Sequence, residues 1–131
     1  MKLLWAILFG LALLGAPVAH AATCQTSIPI SQTASTDLYT SHNRIHICGL
    51  VLGNQTTAQN WSLVEGTGSM CATGTKALIG GSSASVAIGA NADITMVAGG
   101  FWLNSAVTGD HICLLQSGST TIAGVLTFDD Q

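Results

Sequence analysis

Short apolar runs alternate with clusters of Gly, Ser, Asn and Asp along most of the chain. Downstream of residue 21, no window places apolar residues at three- and four-residue spacing over three turns, so helices are not predicted. The recurring runs predict short strands instead. Their expected positions are Gln25–Ile30, Thr36–Thr40, Arg44–Leu52, Trp61–Val64, Ala77–Ile79, Ser85–Ile88, Ile94–Val97, Phe101–Leu103, Asp110–Gln116 and Thr121–Phe128.

Two of these runs have a clear two-residue period, which assigns their side chains to opposite faces of a sheet. In Arg44–Leu52, one face is predicted to carry Ile45, Ile47, Gly49 and Val51, and the other His46, Cys48, Leu50 and Leu52. In the last run, Ile122, Gly124, Leu126 and Phe128 oppose Ala123, Val125 and Thr127. The polar tip at Ser41–Asn43 predicts a tight hairpin between the second and third strands.

Eight to ten short strands, with turns every 8–12 residues, are typical of a sandwich of two sheets. The predicted fold is therefore all-β: a single antiparallel β-sandwich domain, jelly-roll-like, over residues 22–131. No linker or second domain is visible in the pattern.

The N-terminal residues 1–21 have the composition of a secretory signal peptide. A positive end, Met1 and Lys2, precedes an uncharged run from Leu3 to Leu14, and Ala19-His20-Ala21 supplies a cleavage site. The run is shorter than the roughly 20 residues that a membrane-spanning helix needs. We therefore expect export to a secreted, periplasmic or cell-surface location, with no membrane span after cleavage and a mature start at Ala22 or one residue later.

Charged residues are scarce in the predicted mature chain. Arg44 and Lys76 are its two cations, against six carboxylates. Because nucleic-acid binding depends on many Lys and Arg contacts to phosphates, nucleic acid is not an expected partner. A surface of Ser, Thr, Asn, Gln and Gly is typical of exported β-proteins and of subunits that assemble with one another.

All four cysteines lie after residue 21, and an even count in a short exported chain predicts two disulfides. Four cysteines allow three pairings. Since Cys48 and Cys113 fall in the middle of predicted strands, whereas Cys24 and Cys71 fall near an end and a loop, we favour Cys48–Cys113 with Cys24–Cys71.

A His-Ile-Cys tripeptide occurs twice, and its His and Cys point to the same face of a strand. If the two strands were antiparallel neighbours, they would form a Cys2His2 zinc site, the alternative metal site of His46, Cys48, His111 and Cys113. Another register would join Cys48 to Cys113, and export favours that disulfide. We therefore expect no metal and no cofactor, and a periplasmic metal-binding protein that uses these four residues is kept as the last-ranked alternative function.

Catalytic machinery is not expected in this chain. A hydrolase would need a converging nucleophile, base and acid, but no Gly-x-Ser-x-Gly elbow is present. A glycosidase would need two carboxylates across a cleft, whereas the chain has one Glu and five Asp, mostly in apparent turns or at the C-terminal end. No phosphate loop, dinucleotide fingerprint or calcium loop occurs. The prediction is a protein that is not an enzyme, with no catalytic residues.

Three aromatic residues among polar loops, Trp102, Trp61 and Tyr39, are the candidate binding residues. Because Phe101 and Trp102 are neighbours on a predicted strand, one of the two rings faces outward, towards solvent, a second subunit or a sugar ring. These aromatics favour an alternative function, a small lectin-like module that binds a glycan.

Several short motifs resemble small cysteine-containing β-sandwich proteins of unknown function that occur in bacteriophages, prophages and environmental viral sequences. The resemblance extends over nearly all of the mature chain, and the short motifs that carry it are Thr23-Cys24, Ile28-Pro29-Ile30-Ser31, Arg44 to Cys48, Glu65 to Thr75, Gly109 to Cys113 and Gly124 to Phe128. The resemblance implies an oligomeric jelly-roll-like module on a virion, decorating a capsid or tail.

The export signal favours a secreted, periplasmic or cell-surface version of such a module. The functional expectation is therefore an exported, non-catalytic structural or interaction protein. Its expected partner is a second copy of itself or a protein of a virion or cell surface.

Overall fold

The computed structural model describes residues 24–40, 45–97, 103–104 and 110–130. These residues form ten strands and one short 3-10 turn at Ser69–Cys71. The strands are β1 (Thr26–Gln32), β2 (Thr36–Thr40), β3 (Ile45–Asn54), β4 (Gln59–Thr67), β5 (Thr73–Ile79), β6 (Val86–Ile88), β7 (Ala92–Val97), β8 (Leu103–Asn104), β9 (His111–Gln116) and β10 (Ile122–Asp130).

The strands build two antiparallel sheets whose order is that of a jelly roll. Sheet A runs β1-β10-β3-β7, with β8 also paired to β3. Sheet B runs β2-β9-β4-β5, with β6 also paired to β4. The pairs β1–β10, β2–β9, β3–β7 and β4–β5 are those of one long hairpin, and rolling that hairpin brings β10 beside β3 and β9 beside β4. The predicted antiparallel β-sandwich is confirmed.

Every predicted strand overlaps an observed one, and Thr36–Thr40 matches residue for residue. The largest differences are at β4, which begins two residues earlier and ends three residues later than predicted, and at β5, which begins four residues earlier. The predicted hairpin between β2 and β3 is wrong because the two strands belong to different sheets. Its tip, 41–43, lies outside the described residues.

A β-bulge at Cys48 changes which side chains of β3 face the core. Ile47 lies opposite Phe128, whereas Gly49 lies opposite Thr127, so Cys48 is one residue extra in β3. The period of two therefore shifts at this point. Ile45 and Ile47 share the core face with Leu50 and Leu52, which corrects the predicted face assignment. In β10, where no residue is inserted, the predicted alternation is confirmed.

The core between the sheets is aliphatic, with two large aromatic side chains. Trp61 on β4 and Phe128 on β10 are both fully buried. Tyr39 on β2 packs on Phe128 with a ring-centroid distance of 4.7 Å. The other buried members are Ile30, Ile45, Ile47, Leu50, Leu52, Leu63, Ile88, Ile112, Leu114, Ile122 and Leu126.

Two buried amide side chains close one end of the sandwich. Asn54 at the end of β3 donates to the carbonyl oxygens of Thr57 at 2.7 Å and Gly89 at 3.0 Å. Gln59 at the start of β4 donates to Asn54 Oδ1 at 3.0 Å and to the Thr120 carbonyl at 2.7 Å. These bonds join β3 of sheet A to β4 of sheet B and satisfy carbonyl groups that the strands leave unpaired.

All four cysteines are in disulfides, as predicted, but the favoured pairing is wrong. The bonds are Cys24–Cys48 and Cys71–Cys113. Neither Cys48 nor Cys113 belongs to the core cluster, although Ile47 and Ile112 beside them do. Because the two sulfurs do not face the space between the sheets, Cys48 and Cys113 cannot meet across it.

Each disulfide therefore stays within one sheet. Cys24, which lies just before β1, is bonded to Cys48 on β3. β1 and β3 are the two strands that flank β10. Cys71–Cys113 joins the connection between β4 and β5 to β9. With sequence separations of 24 and 42 between the paired cysteines, chain entropy gives about 3–4 kcal/mol of stabilisation for each bond.

The predicted signal peptide, 1–21, lies outside the described residues and stays a prediction. The described residues contain no helix with the length and hydrophobicity to cross a membrane.

We predict that Gly124→Ala destabilises the fold. A Cβ at this position would overlap the carbonyl group of Val51, because β10 and β3 approach each other closely there. Forcing the backbones apart is expected to lower the free energy of unfolding by about 1–3 kcal/mol. Urea denaturation with both disulfides intact measures the change.

Gly89→Ala is the matched control for this substitution. Its Cβ would meet only the Cβ of Ala92, at 3.5 Å, which is an ordinary contact. Its effect is expected to stay within about 0.5 kcal/mol. Equal stability of the two variants would contradict the close approach of β10 to β3.

Candidate functional site

The outer face of sheet B carries a cluster of ionisable and sulfur-containing side chains. On β9, Ile112 and Leu114 point into the core, so His111 and Cys113 point outward. Cys113 packs there with Val64 of β4 and with Cys71 of the 3-10 turn, and all three are fully buried. The turn thus covers part of this face and forms a second, smaller apolar cluster.

Local backbone geometry brings Cys71 over the sheet. Gly68, Met70 and Cys71 have φ values of 74°, 55° and 54°, in the left-handed region that non-glycine residues seldom adopt. The Met70 N–H donates a hydrogen bond to Asp37 Oδ1 at 2.7 Å. Asp37 on β2 therefore holds the turn in place from the far side of β9.

Asp37 is at the centre of the cluster. Its Oδ1 lies 3.1 Å from Cys113 Sγ, and its Oδ2 lies 3.7 Å from His111 Nδ1. The first distance is a contact, since a sulfur in a disulfide has no proton to donate. The carboxylate oxygen of Asp37 and the sulfurs of Cys71 and Cys113 all lie within 4.8 Å of one another. We call these three residues and His111 the Asp37 cluster.

The alternative metal site of His46, Cys48, His111 and Cys113 is wrong. His46 and Cys48 are on β3 of sheet A, whereas His111 and Cys113 are on β9 of sheet B. The two cysteines also belong to different disulfides. One part of the pattern is correct, because His111 and Cys113 lie on one face, where both contact Asp37.

Sequence reasoning missed Asp37 and Cys71 as neighbours of this pair. Asp37 lies opposite Cys113 through the pairing of β2 with β9, which joins residues 76 positions apart. No local motif encodes that register. The usable signal was the jelly-roll order itself, which places the second strand beside the second-last one.

The three predicted binding aromatics do not form a common surface. Trp61 is fully buried, so its assignment as a binding residue is wrong: the ring points between the sheets with Leu63. Tyr39 is half-buried, packs on Phe128 at a tilted angle and donates a hydrogen bond from its hydroxyl to Asp130 Oδ2 at 2.9 Å. Trp102 lies outside the described residues.

The outer face of sheet A is different in character, and we call it the sheet A face. Its central row runs across four strands through Pro29, Val125, Val51 and Thr95. Val51 and Val125 are 42% and 38% exposed. The flanking positions are Ser27, Thr127 and Gly49 on one side and Ser31, Ala123, Gly53 and Asp93 on the other.

Glycines keep the sheet A face flat. A Cβ on Gly49 would come within 2.9 Å of Thr127 Oγ1, and one on Gly53 within 2.6 Å of Asp93 Oδ1. The Thr127 hydroxyl donates to the Gly49 carbonyl at 3.2 Å. Neighbouring side chains thus lie across the glycines instead of projecting from the sheet.

A shallow cleft of about 290 Å³ lies at the amide-closed end of the sandwich. Its polar lining residues are Gln59, Asn60 and Ser117. Gln59 is held by its bonds to Asn54 and Thr120, and the Ser117 hydroxyl accepts from the Asn60 N–H at 2.9 Å. These contacts serve the turns around the cleft, so we assign it no ligand.

Tyr39 gives a pH-dependent prediction. The hydrogen bond to Asp130, followed by burial and by the charge of Asp130, raises the pKa of Tyr39 above its ordinary value of 10.0. Protonated Tyr39 therefore stabilises the fold below pH 10, and this contribution is lost as the pH rises through the raised pKa. Tyr39 is the only tyrosine in the chain, so absorbance near 295 nm measures its titration directly.

Asp130→Ala removes the largest cause of the shift and should return the midpoint towards the ordinary tyrosine value. Asp93→Ala, which removes a carboxylate from the far edge of sheet A, should leave the midpoint unchanged. Identical titration curves for Asp130→Ala and the unaltered protein would contradict the assigned hydrogen bond.

Comparisons with known proteins add no relative to this description. No protein-family model, no curated protein and no solved structure matches the chain. The two outer faces of the sandwich are therefore the features that bear on function.

Proposed function

We propose that the protein is an exported, non-catalytic structural module that associates with further copies of itself through the sheet A face. The observation that carries this proposal is the contrast between the two outer faces. Sheet B is partly covered by its own chain, through the turn at Cys71 and through Ser83, which accepts a hydrogen bond from Ser62. The central valines of sheet A are exposed.

The chemistry of the sheet A face favours a second copy as its occupant. Contact between identical subunits often brings the same patch of both into register. A patch of Val, Pro, Thr, Ser, Ala and Gly can meet its own copy without like-charge repulsion. Asp93, at the β7 edge, is the one charged residue among its described positions.

The size of the face argues for a weak contact between two copies. Four strands about 4.8 Å apart and about seven residues long give a face of roughly 450 Å². Two copies would bury roughly 900 Å², below the roughly 1,200–2,000 Å² of a stable complex. Because a symmetric contact through one face closes as a dimer, the dimer would be the unit that decorates a virion or cell surface.

Fold alone does not choose between a structural role and glycan binding, because jelly rolls occur in capsid and in lectin domains. The positions of the aromatic side chains favour the structural role. Trp61 is buried in the core, and Tyr39 is held between Phe128 and Asp130. Neither ring is free to stack on a sugar.

Export is part of the same proposal. Two disulfides in a chain of this size are characteristic of oxidising compartments. The signal-peptide pattern of residues 1–21 would deliver the chain there.

The proposal predicts concentration-dependent association of the oxidised mature protein. Sedimentation equilibrium should show oligomers in the range from about 10 µM to 1 mM, as expected for a small interface. Val51→Glu should weaken association at least about tenfold, because it brings two carboxylates together across a symmetric contact.

Ala77→Glu is the matched control, since it adds the same charge at an exposed strand position of sheet B. It should associate like the unaltered protein, and thermal unfolding checks that both variants are folded. A protein that stays monomeric at 1 mM, or equal weakening by both substitutions, would refute the proposal.

A further inference from the structure

We propose that Asp37, Cys71, Cys113 and His111 form a zinc site when the Cys71–Cys113 disulfide is reduced. Two thiolates, a carboxylate and an imidazole are a ligand set that Zn²⁺ accepts in proteins. The inference does not depend on the proposed function, since the Asp37 cluster and the sheet A face are on opposite outer faces of the sandwich.

The spacing of the donor atoms supports a tetrahedral ion. Zinc bonds of about 2.0–2.3 Å place neighbouring ligand atoms about 3.4–3.8 Å apart. Asp37 Oδ1 is 3.1 Å from Cys113 Sγ, and His111 Nδ1 is 3.7 Å from Asp37 Oδ2. The sulfurs and the carboxylate oxygen are within 4.8 Å of one another. After the S–S bond is cleaved, the two sulfurs must move apart and the His111 imidazole must turn towards them to complete the site.

The surrounding backbone holds the ligands together without the disulfide. The pairing of β2 with β9 sets Asp37 opposite Cys113, and β9 also carries His111. The Met70 N–H bond to Asp37 keeps the residue before Cys71 against β2. These contacts are hydrogen bonds and strand pairings, so reduction leaves them in place.

One side of the site is buried, and the other side is open to solvent. Cys71 and Cys113 are fully buried beside Val64. The side chains of His111 and Asp37 are 29% and 36% exposed. An ion would enter from the side of His111 and Asp37 and be held on its far side by the two sulfurs, which meets the need of a metal site for an entry path.

The chemistry requires a two-electron reductant. A phosphine cleaves the disulfide, takes an oxygen atom from water to become a phosphine oxide, and leaves two thiols. Zn²⁺ then binds the two sulfurs as thiolates, and each thiol loses its proton. A phosphine is preferable to a dithiol in the experiment because a dithiol would itself bind zinc.

The test uses the mature chain with Cys24→Ala and Cys48→Ala, so that Cys71 and Cys113 are the only sulfhydryl groups. The phosphine-reduced protein should take up one Zn²⁺ per chain, and the oxidised protein none. Co²⁺ in place of zinc should give the charge-transfer absorption of thiolate ligands and the visible bands of tetrahedral cobalt. Failure of the reduced, folded protein to bind zinc would overturn the proposal.

Substitutions distinguish this site from binding by two thiols alone. Asp37→Ala and His111→Ala should each weaken zinc binding at least about tenfold, since even outer-shell groups contribute that much. Asp93→Ala, which removes a carboxylate from the sheet A face, should leave the affinity for zinc unchanged. Equal affinity of Asp37→Ala and Asp93→Ala, or unchanged affinity of His111→Ala, would overturn the four-ligand assignment.

A thermal measurement guards against loss of folding in the doubly substituted chain. A metal that binds the native state raises its melting temperature, whereas one that binds unfolded thiols does not. Zinc should therefore raise the melting temperature of the reduced protein and not that of the oxidised one. If the Cys24→Ala, Cys48→Ala chain does not fold, the same comparison is made with the fully reduced chain of natural sequence and its Asp37→Ala variant. A zinc-dependent rise that is equal in these two proteins would overturn the proposal.

Discussion

The insertion of β10 between β1 and β3 is the constraint on which the rest of the fold depends. This one strand supplies Ile122, Leu126 and Phe128 to the core, and both its edges are used in pairing. Its partners lie far away in sequence, so the entropy of closing long loops is lost before the pairing can stabilise the fold. The Cys24–Cys48 bond joins the segments on both sides of β10 and lowers that cost by restricting the unfolded chain. Gly124, where β10 comes closest to β3, shows how tightly the strand fits.

Jelly-roll order also explains why the two outer faces differ. The connection from β4 to β5 turns over sheet B, and its Cys71 is tied to β9, so part of that face becomes a small core of its own. In sheet A the outward positions are occupied by small or β-branched residues, with glycines under the larger side chains. The outer face of sheet B thus carries Asp37, His111 and the two cysteine sulfurs, whereas the sheet A face is flat and has little charge. Because few residues of the chain are charged, one outer face can carry the charged and sulfur-containing side chains while the other carries almost none.

The sequence pattern correctly predicted the features of the fold that depend on local periodicity. The limits of Thr36–Thr40 and the alternation from Ile122 to Phe128 follow from neighbouring residues, and both are confirmed. What failed depends on distant residues. The bulge at Cys48 reverses the facing of β3, and Gly49 beside it was not recognised as a bulge signal. The register of β2 with β9 alone places Asp37 beside Cys113. The pairing of the cysteines was mistaken because a position in the middle of a strand says nothing about which face the sulfur occupies. Trp61 was misassigned for the same reason.

The placement of the two crosslinks determines how a pulling force would travel through the molecule. Tension applied at the ends of the chain passes from Cys24 directly to Cys48, and from Cys71 directly to Cys113. The segments enclosed by these bonds contain β1 and β2 in one case and β5 to β8 in the other, so these strands bear no load. The load falls on the rest of β3, on β4, on β9 and on β10, which are the central strands of the two sheets. Each of these has hydrogen-bonded neighbours on both sides.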